Sequence, residues 1–130
     1  MALNQFGAII SFAIERENAL AQLYQKAAAA GGPHSAELAS RAEGASKRAA
    51  KLEQTRRQNV TEITLEPIEG LRAEDYPFQD SDLSPQALDA LEASFQQFYS
   101  DIMPKINVRE TVSVLQRCLK EHQRLQRLSE

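Results

Sequence analysis

Apolar residues recur along this chain at alternating four- and three-residue steps, the period of a helix with one buried seam. In the first run the seam is Phe6, Ile10, Ala13, Glu17, Leu20, Tyr24 and Ala27. In a later run it is Leu88, Glu92, Phe95, Tyr99, Ile102 and Ile106. Each seam carries a glutamate where leucine would be ordinary, seven residues before a tyrosine. That spacing puts carboxylate and phenol on one face, two turns apart. An acid in an apolar seam is costly unless a cation, a metal or a proton satisfies it.

Helix-stop signals divide the chain. Gly31 and Gly32 end a first helix of about 3–30, and Pro33 opens a second, about 34–58. Ser84-Pro85 reads as an N-cap with proline at the first helical position, starting a third helix of about 85–105 in which Pro104 ends or kinks the run. Asn107 with Glu110 forms a capping box for a fourth, about 108–128. Its seam is Val108, Val112, Leu115, Leu119 and His122, so His122 is expected to face inward.

Residues 59–83 have no helical period but are too apolar for a disordered linker, with Val60, Ile63, Leu65, Ile68, Leu71, Tyr76 and Phe78. Extended chain of this length spans up to roughly 80 Å. A helix of about 24 residues is only about 36 Å long. The segment therefore reaches back along a whole bundle, with its apolar side chains in an interhelical groove. The expected fold is all-α: one domain, four helices, one long crossover between the second and third.

The two seams also repeat. At an offset of 75, Glu17 falls on Glu92 and Tyr24 on Tyr99; at 74, Ala45 falls on Leu119 and Arg48 on His122. Two helical hairpins thus look like degenerate copies of one.

Composition narrows the function classes. The chain has 130 residues, net charge −3 and no Trp. Its weakly acidic balance argues against a nucleic-acid binder, although Arg41, Lys47, Arg48, Lys51, Arg56 and Arg57 make the second helix basic. The connecting segment is acidic in turn, with Glu62, Glu66, Glu69, Glu74, Asp75, Asp80 and Asp82 against Arg72. It either docks beside that helix or is simply solvated. No apolar stretch is long enough for a membrane span. The lone Cys118 rules out an intrachain disulfide and fits a reducing, cytoplasmic setting, as does the lack of a leader-like start. Cys118 and His122 are four apart, which is better explained by packing than by a thiol nucleophile.

The run from Ala13 to Tyr24, with Glu17, and the run from Leu91 to Tyr99, with Glu92, resemble the rubrerythrin-like branch of the ferritin-like superfamily. The resemblance implies a four-helix bundle holding two irons. Helices one and three would each give a Glu, and helices two and four each a Glu-x-x-His pair. The partner helices depart from that pattern. Ala45 and Arg48 stand at the Glu and His positions of the second helix, and Leu119 at the Glu position of the fourth. No histidine lies between His34 and His122. Only Glu17, Glu92 and His122 remain, so a di-iron centre and its oxidase or peroxidase chemistry are not expected.

The expected core is instead a polar cluster of Glu17, Glu92, Arg48, His122, Tyr24 and Tyr99. In it Arg48 and a protonated His122 hold the acids, and the tyrosines donate in the same layer. The alternative is one remnant iron, manganese or zinc ion on Glu17, Glu92 and His122. The expected role is a non-catalytic structural or interaction module without a cofactor. Ile9, Ile14, Leu23 and Val114, beside the seams, would form a homodimer face or lie under the crossover.

Overall fold

The computed structural model describes residues 6–58, 70–106 and 109–129. Four α-helices carry the fold: α1 Phe6–Ala29, α2 Ser35–Gln58, α3 Pro85–Ile102 and α4 Arg109–Arg124. Short 3-10 turns cover Ala73–Asp75 and Met103–Lys105. The described residues are therefore all-α. None of their helices is long and apolar enough to cross a membrane.

The α1–α2 turn is made by Gly31 and Gly32, with φ of 81° and 99°, a region that glycine enters without strain. Pro33 lies in this turn, and α2 starts two residues later at Ser35, whose hydroxyl donates back to the Ala28 carbonyl at 3.0 Å. The two helices then run antiparallel in close contact. Small side chains permit this: Ala13, Ala21 and Ala27 on α1 and Ala42, Ala45 and Ala49 on α2 are all buried. Ser84 caps α3 by accepting from the Ala87 amide at 3.2 Å, with Pro85 in the first turn. Pro104 lacks an amide proton, and the helix tightens there into the 3-10 turn at Met103–Lys105. The expected cap at Asn107 lies outside the described residues.

Every expected seam residue whose side chain is described is buried in α1 and α3, including Glu17 and Glu92. In α4, Leu115, Leu119 and His122 are buried and Val112 is half-buried. Phe6, Val108 and residues 59–69 of the connecting segment fall outside what is described.

The rest of that segment follows α3 in the opposite direction. Gly70 lies beside Lys105, Tyr76 bonds Asp101 at 2.6 Å, and Phe78 meets Phe95 edge-on at 6.4 Å. Tyr76 also packs against Phe12 and Phe98, and the Arg16 guanidinium lies 4.7 Å from the Phe12 ring and 5.5 Å from that of Phe78. This aromatic stack is where the segment meets α1 and α3.

One expectation needs correction. Helix α4 ends at Arg124, four residues short of Leu128, because the tail finds better partners outside the helix. The amides of Leu128 and Ser129 and the Ser129 hydroxyl all donate to the Asp89 carboxylate, at 2.8, 3.0 and 2.6 Å. Arg41 Nη2 donates to the Gln126 carbonyl at 2.7 Å. The tail thus crosses the end of the bundle where α2 and α3 begin. Ile9, Ile14, Leu23 and Val114, expected either at a homodimer face or under the connecting segment, are buried within the single chain, at 9 % exposure or less.

Candidate functional site

The four helices bring Glu17, Glu92, Arg48, His122, Tyr24 and Tyr99 into one connected cluster. All six are buried, with exposures from 0 to 6 %. Each tyrosine bonds the glutamate of the other hairpin. Tyr24 donates to Glu92 Oε1 at 2.5 Å, and Tyr99 donates to Glu17 Oε2 at 2.6 Å. The phenols therefore occupy two layers, not the single layer expected. The reason is direction: α1 and α3 are antiparallel, so a tyrosine two turns after its own glutamate falls level with the other one.

His122 joins the layers. Its Nδ1 lies 2.5 Å from Glu92 Oε2 and its Nε2 lies 2.9 Å from Glu17 Oε2. A neutral imidazole donates through only one nitrogen, whereas an imidazolium donates through both. Two carboxylates on opposite sides of one ring call for the imidazolium. The Phe95 and Tyr99 rings lie beside it, with centroids 5.0 and 5.7 Å away. Arg48 completes the cluster: Nε donates to Glu17 Oε2 at 3.0 Å, and Nη1 donates to Glu121 Oε1 at 3.1 Å.

The electrostatics follow from these contacts. Burial works against a charged His122, but Glu17 and Glu92 outweigh it and raise its pKa from 6.5 to about 9. Burial likewise opposes ionisation of Glu17, yet His122 and Arg48 hold its carboxyl below the ordinary 4.5. Burial and the adjoining carboxylates raise Tyr24 and Tyr99, so both phenols keep their protons. Burial and Glu17 push the Cys118 thiol up to about 12, which leaves it protonated and unreactive at neutral pH. At pH 7 the Glu17 carboxylate thus faces one guanidinium and one imidazolium.

This donor set does not fit a pair of iron ions. Ala45 and Leu119 offer no side-chain oxygen at the positions where the ferritin-like resemblance implies glutamates. Arg48 puts a permanent positive charge against Glu17 where a histidine ligand is expected. Glu17 Oε2 already accepts three hydrogen bonds, and neither ring nitrogen of an imidazolium has a lone pair to give. Among the described residues, no three of His, Cys, Asp and Glu converge as a metal site would require.

Several contacts were not expected from sequence. Glu121 pairs with Arg48, and Arg41 is buried rather than part of a solvated basic face. The Arg41 guanidinium carbon lies 5.8 Å from the centre of the Tyr24 ring, while Arg41 Nε bonds Glu37 at 2.8 Å. The available signal was spacing. Arg41 precedes Arg48 by seven residues, and in an antiparallel hairpin that repeats the interval from Glu17 to Tyr24.

Two buried atoms here have no hydrogen-bond partner, Glu17 Oε1 and Arg41 Nη1. Compared with protein-family models, curated proteins and solved structures, the chain matches none, so its described all-α architecture and this cluster are the identifying features.

Proposed function

We propose that this chain is a non-catalytic, ferritin-like four-helix bundle in which a buried charge cluster occupies the place of a di-iron centre. On this reading it serves as a structural or protein-interaction module. The observation that carries the proposal is His122 standing between Glu17 and Glu92, with Arg48 on Glu17. Protonated nitrogens supply the positive charge that metal ions would supply to the same two acids. The reciprocal pairs Tyr24–Glu92 and Tyr99–Glu17 support descent from one repeated hairpin. The course of residues 70–84 back along α3 supports the long crossover.

The cluster also lacks what a reaction needs. Each of its acids already accepts hydrogen bonds, its phenols and thiol hold their protons, and all of these groups are shielded from solvent.

Metal analysis of protein purified without a histidine tag tests the reading, with growth media supplemented in turn with iron, manganese and zinc. Metal well below one ion per chain is expected, and chelator should leave the unfolding midpoint unchanged. One ion per chain, lost on replacing Glu92 by Gln, would overturn the reading in favour of a mononuclear metal protein.

A further inference from the structure

Nothing in the residues after Arg124 stops a helix. Leu125, Gln126, Arg127 and Leu128 are all good helix formers, and no Gly, Asn or Pro occurs among them. Arg124 and Arg127 also suit the negative end of a helix dipole. The helix nevertheless tightens at the Leu125 amide, which donates to the His122 carbonyl at 3.3 Å, and the chain turns across the end of the bundle.

Tertiary contacts hold it there. Asp89 accepts from the Leu128 and Ser129 amides and the Ser129 hydroxyl, and Arg41 donates to the Gln126 carbonyl. Leu128 is buried alongside at 6 % exposure. These four bonds stand against the four i→i−4 bonds that residues 125–128 would form in a continued helix. The two arrangements are therefore matched in number of hydrogen bonds.

A continued helix also has room and a neighbour. Helix α2 meets Gln126 at Arg41 and Glu121 at Arg48, so it runs antiparallel to α4, and it begins at Ser35, six residues before Arg41. That is about 9 Å of helix, whereas four more residues of α4 need about 6 Å. A recess of about 550 Å³ already separates His34 and Glu37, at the start of α2, from residues 124–128. Leu125 and Leu128 fall seven residues after Cys118 and Glu121. In a helix they would share the side of α4 on which Glu121 meets Arg48 of α2, and would fill that recess.

A second recess, of about 420 Å³, would lose a wall in the process. It is lined by Asp89, Glu92 and Gln96 of α3 and by Leu125, Gln126, Arg127 and Ser129 of the tail. Of the two acids in the cluster, Glu17 is 0 % and Glu92 5 % exposed, so this recess is where solvent comes nearest to the acids.

We propose that residues 125–129 are a two-state strap. Closed, they are held across the bundle end by Asp89 and Arg41. Open, residues 125–128 continue α4 along the start of α2 and uncover Glu92. The strap governs solvent access to the charge cluster, and it does not rest on what that cluster does.

The test is NMR on the full chain carrying Asp89→Ala, or Ser129→Asp, which sets a like charge against Asp89 and alters no helix. Helical Cα shifts and sequential amide contacts at residues 125–128 are expected in both variants and not in the parent chain, with α1 resonances unchanged. The His122 Nδ1 proton, which faces Glu92, should exchange with solvent at least tenfold faster in both. Adding Arg127→Pro to Asp89→Ala should abolish the helical signals, because proline blocks a continued helix. Residues 125–128 unchanged from the parent, a released tail without helical signals, helical signals that survive the proline, or unchanged His122 exchange would each overturn the proposal.

Discussion

Arg48 touches two acids with different surroundings. Glu17 is fully buried, while the Glu121 side chain is 44 % exposed. Water can replace Arg48 at Glu121 but not at Glu17. Arg48→Ala should therefore destabilise by about 3–5 kcal/mol, nearly all of it from the stranded Glu17. Glu121→Ala should cost under about 1 kcal/mol. Urea unfolding of both variants checks the contrast, and equal losses would contradict it. His122 sets the alkaline limit. Its folded pKa of about 9 exceeds the ordinary 6.5, so its contribution is complete below about 6.5 and disappears as pH rises through 9. That contribution is on the order of 3 kcal/mol. Glu17 acts with the opposite sign: its depressed pKa stabilises above about 4.5, and that stability is lost as pH falls through the folded value. The expected profile is a maximum between about pH 4.5 and 6.5, a decline from about pH 6.5 to about 9, and a level stretch above that. Replacing His122 by Leu should remove the alkaline decline. An imidazole titration midpoint near 6.5 by NMR would refute the assignment. The acids, the phenols and Arg48 were legible in sequence because each occupies a seam position with a repeated interval. Arg41 was not, because a run of bases on one helix reads equally well as a solvated face.

At the scale of elements, the tail and the connecting segment depend on contacts that periodicity does not encode. The seam pattern carries α4 on to Leu128, but Asp89 captures the Leu128 and Ser129 amides and the helix ends at Arg124. A carboxylate paired to backbone amides leaves no mark in the tail's own sequence. Asp89→Ala should release the tail. Amide exchange at Leu128 and Ser129 should speed up at least tenfold, with a stability loss of about 1–2 kcal/mol. Unchanged exchange would mean that other contacts hold the tail. The connecting segment was better marked. Tyr76 and Phe78 were recognisable as apolar residues in need of a groove, although Arg16 between the Phe12 and Phe78 rings was not foreseen. Tyr76→Ala removes packing against Phe12 and Phe98 and the bond to Asp101, and should cost about 3 kcal/mol in denaturant unfolding. A cost under about 1 kcal/mol would show that the segment is not held at this point.

For the whole molecule, the main question is whether either hairpin is complete alone. Tyr24 in α1 serves Glu92 in α3, Tyr99 in α3 serves Glu17 in α1, and His122 in α4 serves both acids. Separating the hairpins would open the apolar seams and strip Glu92 of Tyr24 and Glu17 of both Tyr99 and His122 at once. Chains 1–58 and 70–130 should each show weak, non-cooperative helix signals by circular dichroism. Mixing them should restore a single cooperative melt. Two independently folded halves would show that the cluster is incidental to assembly. The repeat at an offset of 75 made this interdependence visible as similarity between hairpins. It did not show that the bonds cross between them, since crossing follows from helix direction and not from composition.

The cluster has one further consequence. A seam repeating every seven residues looks much the same after sliding one helix by two turns, so greasy packing alone leaves several alignments close in energy. Sliding α3 in this way puts a phenol where a carboxylate should meet His122, and leaves Glu17 and Glu92 without their shared cation. The buried charges thus act as a vernier: they contribute little net attraction, but only one setting of the four helices lets every mark coincide.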